Sequence, residues 1–209
     1  MSEKRTDLSD LEELLHELDQ AWKGYERQSA IGTKLLAMKD VPLKTLYNML
    51  SSNFWSTALQ KENCSKTAIK ILNEYPKVDQ KTLRRIAWGG GSIDADIAKM
   101  AADKIFNDQD VSSDILDGLS CSYVLPIALK AVNALGKHLD GKKYLVDMCS
   151  NDVCNNQKFI EVLLEAFEVL RLRQDVTAMD IHSIIISENT DCRVKELAVS
   201  ALNSFKLAS

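Results

Sequence analysis

The sequence predicts an all-α protein: an α-solenoid of about five tandem helical hairpins behind an N-terminal helical cap. Three observations carry that prediction. Chain breakers are scarce, with 3 prolines and 8 glycines in 209 residues, which suits long helices rather than a turn-rich sandwich or barrel. Apolar residues recur at three- and four-residue steps through most of the chain, the spacing of one helix face. A two-part apolar pattern also returns every 30 to 35 residues from Asp40 onward.

The cap is expected over residues 1–39. A first helix is expected over 7–28, where Leu8, Leu11, Leu15, Leu18, Trp22 and Tyr25 form one stripe and Ser9 with Glu12 fits a capping box. A second helix is expected over Ser29–Met38, with Ala30, Ile31, Leu35 and Leu36 facing inward.

Residues 40–209 carry the repeats. The first segment of each has paired apolar residues: Leu46 and Met49, Leu83 and Ile86, Leu116 and Leu119, Leu145 and Met148, Ile181 and Ile184. The second segment has an alanine followed by an apolar cluster, at Ala68, Ala101, Ala131, Ala166 and Ala201, in steps of 33, 30, 35 and 35 residues. Three residues before these alanines stand Ser65, Ala98, Ala128, Leu163 and Ala198, so four of the five positions are small and admit close helix approach. Polar and glycine-rich breaks such as Gly89-Gly90-Gly91-Ser92, Asn107–Asp110 and Asn189–Asp191 separate the segments. A single hairpin cannot hide its own apolar face. Stacking the next one covers it and extends a shared core along one axis.

The stretch Asn189–Leu202, with Val194, Lys195, Ala198, Ala201 and Leu202 in place, resembles the second helix of a HEAT repeat. Leu83–Trp88, the glycine turn and Ala98–Ala101 look like a second unit of that kind. Armadillo-like and generic helical-hairpin repeats are close alternatives. The resemblance implies a curved scaffold that binds proteins, sometimes nucleic acid. It brings no active-site residues, because the repeat motif is structural.

Charge and composition narrow the function. The net charge is −4, and residues 1–28 hold eight acids against four bases, leaving the remainder balanced at 22 and 22. Such a body is poorly suited to nonspecific binding of nucleic acid or anionic membrane. This balance counts against a HEAT-like DNA glycosylase or other nucleic-acid-binding repeat protein, the alternative reading, which needs a cationic groove. No chromophore-binding feature supports a repeat protein acting on a tetrapyrrole carrier. The charged N-terminus has no apolar core of a signal peptide, no segment is long and apolar enough to span a membrane, and a cytoplasmic location is expected. Cys64, Cys121, Cys149, Cys154 and Cys192 lack metal-ligand spacing and are expected as reduced, mostly core thiols; no metal or cofactor is expected.

Catalytic signals are weak. His16, His138 and His182 are scattered and mark no triad, and Asp94/Asp96 and Asp114/Asp117 suit helix N-termini. Gly89–Ser92 lacks the following Lys of a phosphate loop and is read as a helix-ending turn. The expected function is therefore a non-enzymatic scaffold that binds another protein through its second helices. Their outward residues are expected to be basic at Lys66, Lys70, Lys99, Lys104 and Lys130, and acidic at Glu161, Glu165 and Glu168. Trp55 and Trp88 each precede a motif alanine by thirteen residues, and are either partner anchors or wedges between hairpins. The last repeat ends without a further polar helix, so a homodimer through an exposed solenoid end is also expected.

Overall fold

The structure is a computed structural model and describes residues 3–21, 24–90, 92–150 and 157–208. The described residues form twelve α-helices and one short 3₁₀ turn, with no strand. They divide between Asn107 and Asp108 into two units, each with its own packing.

In the first unit, α1 (Glu3–Gln20) packs on α2 (Tyr25–Ala37), and α2 packs on α4 (Gln60–Glu74) and on a 3₁₀ turn at Ser52–Phe54. Helix α3 (Leu43–Met49) pairs with α4, α5 (Gln80–Trp88) pairs with α6 (Ala95–Phe106), and α6 lies against α4. The first helix differs from the expected one. It starts at Glu3, so Ser9 lies inside it and caps nothing, and it stops before Ala21 and Gly24, so the stripe breaks there. Leu11 is buried, Leu15 and Leu18 are half-buried and Tyr25 is exposed; Trp22 lies outside the described residues. On α2, Ile31 and Leu35 point inward as expected, but Ala30 is exposed and Gly32 takes the inward place. A methyl on Gly32 would lie 2.6 Å from Phe54 and 2.7 Å from Trp55, so only glycine admits these two rings.

Local chemistry sets the ends of α5. Asp79 caps its start by accepting from the Thr82 N–H at 2.8 Å. Gly89 ends it at φ +77°, followed by Gly90 at φ +42°, left-handed conformations that an L side chain resists. The Trp88 ring lies 3.0 Å from the place a Gly90 methyl would occupy, a second reason for glycine at that position.

In the second unit, three hairpins stack in two layers. They are α7 (Ser113–Ser120) with α8 (Leu125–Lys137), α9 (Gly141–Ser150) with α10 (Gln157–Arg171), and α11 (Ala178–Ile186) with α12 (Cys192–Ala208). Helix α9 lies between α7 and α11, and α10 between α8 and α12. Gly141 starts α9 against the end of α8, where an added methyl would meet the Leu135 carbonyl oxygen at 1.7 Å.

The repeated pattern explains this packing. Ala68, Ala101, Ala131 and Ala166 are fully buried, as are Ala98, Ala128 and Ala198. Ala201 is only half-buried; among the described residues its helix packs on α10 and α11. Of the paired apolar residues in the first segments, Leu46, Met49, Ile86, Leu119, Leu145, Ile181 and Ile184 are fully buried. Each such side chain contributes about 1.5–3 kcal/mol relative to exposure.

Side-chain bonds between hairpins keep the same period. In the first unit, Gln60 donates to Ser92 at 2.9 Å and Ser65 accepts from the Asp94 N–H at 3.0 Å, spanning 32 and 29 residues. In the second unit, Asn133 donates to Glu165 at 2.7 Å and Ser187 donates to the Ser150 carbonyl at 2.5 Å, spanning 32 and 37. Lys142, near the start of α9, reaches Asp180, near the start of α11, at 3.2 Å. Arg173, just past α10, donates to the carbonyls of Leu135, Gly136 and His138 at 3.3, 2.7 and 2.9 Å, at the end of α8. Start meets start and end meets end, so the helices of one layer run in the same direction.

Candidate functional site

The sequence places its candidate surface on the second helices, and the structure separates those residues by exposure and by use. In the first unit Lys66, Lys99 and Lys104 are exposed. Lys66 pairs with Glu62 at 2.5 Å and Lys99 with Asp96 at 3.1 Å, both on their own helices. Exposed Ile69 and Met100 lie on the same two helices. Lys70 is not outward. Its side chain is 8% exposed, and Nζ donates to the Met38 carbonyl at 2.6 Å and to Glu74 at 2.8 Å. The reason is α2: it covers a second side of α4, so a position outward in a simple hairpin becomes internal here.

In the second unit Lys130 is exposed, while Glu165 and Glu168 are half-buried. Glu165 accepts the Asn133 bond that joins α8 to α10, and Glu168 binds Arg171 at 2.5 Å. Part of the acidic face is therefore used to hold the helices in place.

The two tryptophans diverge. Trp55 is buried, 3% exposed, with its indole N–H donated to the Met49 carbonyl at 2.7 Å and its ring edge-on to Phe54 at 4.9 Å. It wedges between the 3₁₀ turn and α2, so Trp55 is a packing residue and not an exposed partner anchor. Trp88 is 41% exposed beside the glycine turn.

The structure brings together a second set of residues that the sequence reading did not single out. A cleft of about 880 Å³ opens within the first unit. Leu15, Leu18 and Asp19 of α1, Tyr25 and Gln28 of α2, and Lys44, Thr45 and Asn48 of α3 line it, together with Ser51, Asn53 and Phe54 of the following turn and Arg85 of α5. Its volume falls within the range of about 300–1,000 Å³ common for ligand sites. The Arg85 guanidinium lies 4.5 Å from the centre of the Tyr47 ring, a cation–π contact that orients it. Among the described residues, no carboxylate stands within ion-pair distance of Lys44 or Arg85. Leucine and aromatic walls, side-chain amides and two cations with no carboxylate partner among the described residues thus meet in one concavity.

No family model, curated protein or solved structure matches the chain.

The titratable groups divide by burial. Burial pushes the Cys64 thiol up to about 11, the nearby Arg85 opposing it weakly, and pushes Cys149 up to about 12. Cys121 and Cys192 are exposed, so the expectation of mostly core thiols holds for only half of the described cysteines; Cys154 lies outside them. Among the described residues, no group of three His, Cys, Asp or Glu side chains is placed to hold a metal ion. Among the same residues, no helix is long and apolar enough to cross a membrane.

Proposed function

We propose that this chain is a non-enzymatic, protein-binding scaffold of the HEAT-like helical-repeat class, acting in the cytoplasm. The observation that supports this reading is the period shared by sequence and bonding. Alanine steps of 30 to 35 residues coincide with inter-hairpin bonds that span 29 to 38. Stacked hairpins of this kind are rigid along their length, and the residues not used for stacking are displayed in rows. A rigid row loses little entropy on binding, so a few anchors suffice for affinity while charges set specificity.

Lys99 and Lys104 on α6 are the cations to test, because both are exposed and neither joins one hairpin to the next. Reversing both to Glu is expected to weaken capture of a protein partner while the helical circular dichroism stays unchanged. Partner binding at full strength by K99E/K104E removes this face from the account. Lys70 is unsuitable for that test, since reversing a buried, bonded cation damages the fold itself.

A further inference from the structure

We propose that the cleft of the first unit is the docking place for an acidic peptide segment that carries an apolar side chain. The inference rests on the scaffold reading and gives the partner its chemistry. Four features of the cleft lead to it.

The first is charge. Lys44 and Arg85 line the cleft without an acidic partner among the described residues, against a single acid, Asp19. Carboxylates entering there can form charge-assisted bonds with these cations, and no ion pair of theirs among the described residues has to break. The second is orientation. Tyr47 holds the Arg85 guanidinium from one side at 4.5 Å, so the cation is positioned before anything binds. The third is the polar lining. Gln28 and Asn48 each offer an amide donor and acceptor together, the pair that a peptide backbone presents in turn. The fourth is the apolar wall, where half-buried Leu18 has a face available to an aliphatic or aromatic side chain. A nucleic acid could meet the amides and the aromatic wall with its bases, but two cations beside Asp19 on a chain of net charge −4 are too few for a run of phosphates, which favours a short acidic peptide.

The test is selection of displayed random short peptides on the full chain, in parallel with the K44E/R85E variant and the milder K44Q/R85Q variant. Retained helical circular dichroism and melting midpoint qualify each variant. The expected result is enrichment of peptides with two or more acids next to an apolar residue. Their affinity is expected to fall roughly tenfold or more on K44Q/R85Q, and further on K44E/R85E. Enriched peptides without acidic character, or no enrichment, overturn the proposal. So does equal binding to parent and cleft variants; if that binding is lost instead in K99E/K104E, the scaffold reading survives and only the cleft falls. Cleft-dependent self-association in sedimentation velocity, abolished by K44E/R85E, also overturns the peptide assignment by making a second copy the occupant.

Discussion

The cysteines show how burial alone divides one residue type into two chemistries. A thiolate is the reactive form, and a buried thiol resists becoming one. Cys64 and Cys149 are pushed up to about 11 and about 12 by burial and stay neutral, whereas Cys121 and Cys192 are exposed to a reagent. In mildly alkaline buffer, iodoacetamide is expected to label Cys121 and Cys192 first, and Cys64 and Cys149 only after denaturant is added. Peptide mapping by mass spectrometry reads this directly, and early labelling of Cys149 would contradict its placement. The same shift has a consequence for stability. The unfolded thiols lose their protons near 9 while the folded ones keep theirs. Their contribution is therefore complete below that pH and is lost as pH rises toward the folded values.

The start of α11 is fixed by a capping box. Thr177 accepts from the Asp180 N–H at 3.3 Å, and Asp180 accepts from the Thr177 N–H at 2.8 Å, a reciprocal cap. Burial raises the Asp180 carboxyl, but the bonds from Thr177 and Lys142 outweigh it, so the group sits below the usual carboxylate range. Its stabilisation is present above the unfolded value and lost as pH falls through the folded one. Replacing Thr177 by Ala is expected to cost about 1 kcal/mol at neutral pH, read by chemical denaturation, with a smaller loss in acid where Asp180 is protonated. Where helices pair is legible in the sequence, because inward positions such as Leu83 and Ile86 repeat at helical steps. Positions with more than one neighbour are not legible in this way. Lys70 shows the outward pattern of an ordinary second helix, and nothing local in the sequence announces that α2 covers it. Ser9 and Glu12 match a capping box, but the helix had already begun at Glu3.

Across the whole chain, the alanine register was the most legible feature and the cleft the least. The alanines repeat at one spacing, whereas the cleft collects residues from Leu15 to Arg85 across separate elements with no shared period. The only local signal was polar residues between inward ones, as at Thr45 and Asn48 beside Leu46 and Met49. Repeat position also predicts tolerance. Ala166 is fully buried between its neighbours, while Ala201 is only half-buried. Ala166→Leu is expected to destabilise by about 1–3 kcal/mol through overpacking, and Ala201→Leu by much less, compared by denaturant midpoint at constant slope. Equal losses would mean that α12 is covered as fully as α10.

The two layers of the second unit are fastened by different chemistry. On the α8–α10 side Arg173 grips main-chain oxygens, and neither a guanidinium nor a carbonyl changes charge in the ordinary pH range. On the α9–α11 side Lys142 holds Asp180, a clasp that protonation undoes. Acidification therefore removes the Lys142 clasp and, on the opposite side, the Asp175 carboxylate that steadies Arg173, while the bonds from Arg173 to the carbonyls and from Ser187 to the Ser150 carbonyl carry no titrating group and outlast both.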